Sequence, residues 1–245
     1  MVALCCTVAI GVASAAGPAN IYDGGDLHES IGQGGGPPLQ HAVVYQASAF
    51  PFALRVRAPD GLWGGVQHES GRFRFVQLHH LRTGNLPLHG VGDITIEAAA
   101  GSTPSAAATI RRLQATPHIA ASSIRAARVA GFTGQTFDAT IVGIDHPPFC
   151  RTHSCPGHGG VSLAPFTTNH HCGFCTHTMK GETQDVKFAG KGQLLRITVL
   201  DVRGKTVVIY VESVFADQPR FPPSKLFPTF LPYAQQMLSG MTFGR

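Results

Sequence analysis

Charge is what this chain has least of. Only 13% of its 245 residues are Asp, Glu, Lys or Arg, whereas 43% are apolar. That balance excludes disorder along the whole length, because disordered chains combine low hydrophobicity with high charge. The surface must draw its polarity from Gly, Ser, Thr, Gln and the 13 histidines. The net charge of +5 is carried by scattered single Lys and Arg residues. There is no clustered basic stripe, so a nucleic-acid partner is not expected. The nearest candidates, Arg111–Arg112 with Arg125 and Arg128, read as charges on a helix surface or at segment flanks. Catalytic signatures are missing as well: no GxSxG, HExxH, phosphate-binding loop or dinucleotide fingerprint occurs. The 14 carboxylates show no obvious pairing, and HGGV from His158 has no nucleophile elbow beside it. Nothing here argues for an enzyme, and no catalytic residue is named.

Long apolar runs are also absent beyond the first residues. MVALCCTVAIGVASAAG is apolar for about a dozen residues, too short to span a bilayer as a helix, and ends in Ala13-Ser14-Ala15, the small-x-small form that signal peptidase needs. No Lys or Arg precedes it. Residues 1–16 are read as a signal peptide, which predicts a secreted or extracytoplasmic, soluble mature chain with no membrane span. Removing Cys5 and Cys6 leaves Cys150, Cys155, Cys172 and Cys175, an even number in an oxidising compartment.

Residues 17–40, with the Gly-rich GGDLHESIGQGGGPPLQ, have no periodicity and read as a linker or irregular loop. A single domain is expected over 41–245. HAVVYQA, FALRVRA and GRFRFVQLHHL alternate as half-buried strands do, with a Pro-Asp-Gly turn before the only tryptophan, Trp63. ITIEAAA (94–100) reads as another strand. A helix should run to about Gln114, capped by Ser102 or Thr103 with Pro104 in its first turn. ARVAGFTGQTFDATIVGID holds Gly131 and Gly134 in a turn between two strands. LLRITVLDV and KTVVIYVESV flank Arg203-Gly204 and form the clearest hairpin; both faces are apolar, as in a central strand covered on both sides. A last helix is expected from about Pro232 to Ser239, ended by Gly240, with Pro228 and Pro232 making its first turns irregular. The fold class predicted from this order is α+β: a mostly antiparallel sheet covered by helices, an α/β sandwich, with a Cys/His-rich loop inserted at 150–177.

The apolar–Pro-Asp-Gly-x-Trp segment (Ala58 to Trp63), the mid-chain GFTGQTFDATIVG, and RITVLDVRGKTVVIYV followed by a helix and MTF carry a resemblance. Together, over residues 43–100 and 128–243, the chain resembles small exported bacterial α/β proteins, several of which have a PsbP-like sandwich fold. The resemblance implies a fold and carries over no functional residue. The Cys/His segment departs from that pattern.

That segment is CRTHSCPGHGGVSLAPFTTNHHCGFCTH, residues 150–177. Its cysteines follow C-x4-C-x16-C-x2-C, with His153, His158, His170, His171 and His177 among them. Three chemistries fit. Two disulfides would pin the loop to itself; pairing across the two halves closes rings of about 20 residues and contributes roughly 3 kcal/mol each in the chain-entropy model. Zinc is the second, since four thiolates from two short loops satisfy its tetrahedral preference; the first loop is at the wide end of knuckle spacing. Its ligands would be Cys150, Cys155, Cys172 and Cys175, with His170, His171 and His177 as alternates. Imidazoles there would also suit copper. The third is thiol–disulfide exchange at CGFC, which needs a helix starting at the motif; THTMKGETQDVKFAGKG, which follows, lacks helical period. The other histidines, His79, His80 and His89 among them, are read as surface or hydrogen-bonded residues. The reading of function is an exported binding or accessory domain with a cross-linked Cys/His loop, whose partner is another protein or a small ligand. The alternatives are a zinc- or copper-binding protein and a thiol oxidoreductase.

Overall fold

The computed structural model describes residues 17–23, 38–48, 50–70, 73–80, 92–99, 101–143, 160–163, 165–166, 187–213 and 223–244. Residues 1–16, read above as a signal peptide, and all seven candidate ligands, Cys150, Cys155, Cys172, Cys175, His170, His171 and His177, lie outside the described residues. In chain order the elements are β1 (Ala19–Asn20), β2 (Tyr22–Asp23), β3 (Val44–Ala47), β4 (Leu54–Arg57), β5 (Trp63–Ser70), β6 (Phe73–His80), β7 (Gly92–Ala99) and α1 (Ala106–Gln114). They continue with β8 (Ile119–Ala121), β9 (Arg125–Val129), β10 (Phe132–Ile141), β11 (Gly160–Leu163) and β12 (Lys187–Gly190). The last are β13 (Leu194–Val202), β14 (Lys205–Ser213), α2 (Pro223–Ser239) and β15 (Thr242–Phe243).

A nine-stranded sheet in the order β2-β5-β6-β7-β14-β13-β10-β8, with β9 also on β10, forms the frame. From β5 to β8 every ladder is antiparallel, and β2 joins β5 in parallel. Its central strands are apolar on both faces, so the sheet divides two cores. On one face Ile94, Ile96, Leu200, Val207, Ile209 and Val211 pack with Phe230, Ala234 and Met237 of α2, and with Leu54, Val56 and Phe243. The last three belong to a second, four-stranded sheet, β1-β3-β4-β15. On the other face Leu195, Ile197, Val199, Val208 and Tyr210 pack with Ile110 and Leu113 of α1 and with Val161, Leu163 and Ala189 of the β11–β12 pair.

This overturns the predicted α+β sandwich. The described residues are mostly strand, with only two helices, and much of the cover on each face is itself β-structure: the four-stranded sheet on one side and β11–β12 on the other. Of the strands that supply this cover, β3 and β4 lie in the alternating stretches HAVVYQA and FALRVRA, but the others are two to four residues long, too short to show a period in sequence. The ends of the stretch read as a linker are joined to the fold. Ile21, between β1 and β2, and Leu39 are buried, and Leu39 donates its N–H to the Trp63 carbonyl at 2.6 Å.

Local chemistry explains the hairpins. Arg203 and Gly204 both have positive φ (56° and 76°), as a two-residue turn matched to strand twist requires, and Asp201 Oδ1 accepts from the Gly204 N–H at 2.7 Å. Ala130 and Gly131 (51° and 86°) turn β9 into β10 in the same way; Gly134 is not in that turn but inside β10. The cap of α1 is Ser105, which accepts from the Ala108 N–H at 3.2 Å. Pro104 stays outside the helix, its carbonyl taken by the Thr206 hydroxyl at 2.7 Å. α2 starts well before the expected Pro232. Pro228 and Pro232 both lie inside it on the exposed side, where carbonyls left without an N–H partner meet water, while Phe227, Phe230, Ala234 and Met237 form the buried stripe.

Candidate functional site

The Cys/His segment is framed by the β11–β12 pair. Residues 144–159, with Cys150 and Cys155, lead into β11; residues 164–186, with His170, His171, Cys172, Cys175 and His177, join β11 to β12. The register pairs Gly160 with Gly190 at one end and Leu163 with Lys187 at the other. Alternation turns Val161, Leu163 and Ala189 into the core. Past β11, the Pro165 carbonyl accepts from Arg112 of α1 at 3.4 Å and Phe166 packs on the same core. The two cysteine-bearing stretches therefore leave from opposite ends of a short ladder, about 10 Å long at the usual rise per residue. Cys155 is five residues from Gly160 and Cys172 nine from Leu163, so an extended chain carries them up to about 17 and about 30 Å away. Chain length alone therefore does not keep Cys155 and Cys172 apart.

Beside this pair, on the same face of the large sheet, lies a buried polar group that sequence reasoning missed. Tyr210 of β14 stands opposite Thr95 of β7, with Glu212 opposite Asp93 and Glu97 opposite Val208. Strand alternation puts Glu97, Tyr210 and Glu212 in one inward row; Glu97 and Tyr210 are fully buried and Glu212 is 3% exposed. The acids belong to distant parts of the chain, and only the β7–β14 register brings them together. A signal was present in retrospect: each acid interrupts a mostly apolar run, ITIEAAA and VVIYVES.

Gln193, in the turn from β12 to β13, secures this group. Its Nε2 donates to Glu212 Oε2 at 2.7 Å and to the Ser213 carbonyl at 3.1 Å, and its Oε1 accepts from the Gly190 N–H at 2.9 Å. One buried amide thus ties the end of β12 to the centre of the sheet. Burial raises the Tyr210 pKa well above its ordinary value, and the adjoining Glu97 carboxylate, then Glu212, push it further. The phenol stays neutral, able to donate a hydrogen bond and unable to act as a base. Among the described residues, no three His, Cys, Asp or Glu side chains are grouped so as to hold a metal ion.

The opposite face has an aromatic cluster. His80, read from sequence as a surface or hydrogen-bonded residue, is 2% exposed. Its ring lies 5.0 Å from Trp63, 6.2 Å from Phe230 and 4.5 Å from Tyr233, centroid to centroid. Val76, Leu78 and His80 share the inward side of β6, so period two, not polarity, decides its burial.

Comparison with protein-family models, curated proteins and solved structures finds no match. The likeness to PsbP-like sandwiches rests on the quoted sequence motifs alone. Among the described residues no helix is long and apolar enough to cross a membrane.

Proposed function

We propose that this protein is an exported binding or accessory module in which the β-framework displays the Cys/His segment 150–177, cross-linked to itself by disulfides. The observation that carries the reading is the anchoring of β11–β12. A four-residue ladder with buried Val161, Leu163 and Ala189 fixes the roots of both cysteine-bearing stretches against a packed core. Such a foundation suits a recognition loop, which gains affinity when little order has to be acquired on binding. The buried Glu97–Tyr210–Glu212 row beside it serves the framework, since Tyr210 is held neutral and nothing exposes it to a substrate. The even count of mature cysteines and the small-x-small end of the first apolar run favour an oxidising compartment.

The test is the intact mass of the non-reduced protein, unfolded with chelator and an alkylating reagent present. The reading expects no label on Cys150, Cys155, Cys172 or Cys175, and a chain cut near Ala15. Four labels would refute the disulfides and turn the segment into the metal reading, with zinc held by the four thiolates or copper by His170, His171 and His177. Metal analysis of the native protein then separates those two. An uncut chain would remove the case for export.

A further inference from the structure

The nine-stranded sheet ends at β9, and no described strand pairs with its outer side. On its inner side β9 pairs with β10 from Arg125↔Thr136 to Val129↔Phe132. The Ala130–Gly131 turn makes Val129 and Phe132 a hydrogen-bonded pair, so Ala127 and Arg125 also bond inward, and the peptide groups of Ala126 and Arg128 point outward. Among the described residues no backbone group takes up that outer side. Arg125, Ala126 and Arg128 are exposed. β8 lies on the same flank of β10, but Ser122 bonds both backbone groups of Asp138 (2.8 and 2.9 Å) and the chain breaks step before β9. The open stretch is therefore Arg125–Val129, without proline or a bulge inside it.

This edge is ordered in advance. Val129 and Phe132 pack against the core, and the Phe132 ring meets Phe243 of the second sheet at 5.7 Å. Arg125 is oriented by Asp138 at 2.8 Å, and Arg196 holds the same carboxylate from the other side at 2.7 Å. Arg125 and Arg196 thus share one carboxylate, and Arg128, on the other face of β9, has no acidic partner among the described residues. Such charges discourage pairing of two identical edges and favour an added strand of opposite sign. Arg125 and Arg128 are three apart and project from opposite faces, so their cross-strand neighbours would also be three apart.

We propose that the outer edge of β9 takes up an extended acidic segment of a partner protein as an added strand, with two carboxylates three residues apart meeting Arg125 and Arg128. This surface is separate from the Cys/His segment, and its test is independent of the disulfide reading. Main-chain bonds to Ala126 and Arg128 would supply affinity and the arginines the choice of sign.

The experiment titrates the full-length protein into a fluorescent, capped octapeptide of alternating valine and threonine carrying two glutamates three residues apart. The control peptide has lysines in their place. Saturable binding of the glutamate peptide, weakened by added salt, and none of the lysine peptide is expected. Ala126→Pro removes one outward N–H and no bond to β10, and should weaken binding about tenfold. Arg128→Glu, on an exposed side chain, should erase the preference for the glutamate peptide and decides the matter should Ala126→Pro fail to fold. Equal binding of both peptides would overturn the proposal, as would a correctly folded Ala126→Pro that binds like wild type. So would a dimer of the free chain that Ala126→Pro dissolves, since a second copy would then occupy the edge.

Discussion

Replacing Gln193 tests whether one amide ties β12 and the Cys/His frame to the sheet. Gln193→Ala deletes three buried hydrogen bonds, to Glu212, the Ser213 carbonyl and the Gly190 N–H. At about 1 kcal/mol for each neutral bond and more for one to a carboxylate, the loss is roughly 3–4 kcal/mol. Gln193→Glu keeps the shape and changes the sign. The Gly190 N–H still finds an oxygen, but the new carboxyl lies against Glu212 Oε2, where the amide sat at 2.7 Å. Two adjacent buried carboxylates share a proton. The folded variant then binds a proton that the unfolded chain, with a glutamate pKa of about 4.3, does not hold at pH 7. That costs about 1.4 kcal/mol per pH unit, up to roughly 4 kcal/mol at pH 7. Because the folded state binds more protons, its stability rises relative to wild type as pH falls from 7 toward 4.3, and the deficit closes. Gln193→Ala should show no comparable closure. Urea unfolding at pH 5, 6 and 7 is followed through Trp63, the sole tryptophan and fully buried. A Gln193→Glu deficit that is absent at pH 7, or identical at pH 5 and 7, refutes the placement of Glu212 Oε2 against this amide.

Asp138 gives the opposite sign. Partial burial works against its charge, but hydrogen bonds from Arg196 and Arg125 outweigh that and hold its pKa below the ordinary value. Its stabilising contribution is full above the unfolded carboxylate pKa and is lost as pH falls through the lowered folded one. With a third of the side chain exposed, Asp138→Asn should cost only about 1 kcal/mol at pH 7 and converge with wild type in acid, as read from melting curves. Phe230→Ala empties the site between Trp63, His80 and α2, and should cost roughly 3–5 kcal/mol in urea unfolding with a changed Trp63 emission. An unchanged midpoint would contradict the packing of α2 on this face.

The parts of the fold that could be read from the chain are those whose pattern is local. Arg203-Gly204 between two β-branched runs specifies its hairpin because only certain residues tolerate two positive φ angles in a row. Strands apolar on both sides, such as LLRITVLDV, announce a central place in a sheet. β1, β2 and β15 are only two residues long and have no period; their pairing is decided by what they meet. The same holds for α2, whose prolines suggest a late start until its buried stripe shows which side faces water. The predicted cover of helices failed for this reason, since short strands supply much of it.

The candidate site divides similarly. Composition and spacing marked Cys150, Cys155, Cys172 and Cys175 as a group, since thiol chemistry depends on residue type and separation. They did not mark Glu97, Tyr210 and Glu212, whose meeting depends on the register of β7 against β14. By itself the sequence determined where strands alternate, where two hairpins turn and which compartment is expected, all matters of nearest neighbours along the chain. Only the tertiary structure decided that the sheet has two cores, that two carboxylates and a phenol are buried in one row, and that no described strand pairs with the outer side of β9. Burial and pairing are properties of residues far apart in sequence, and folding alone brings those into contact.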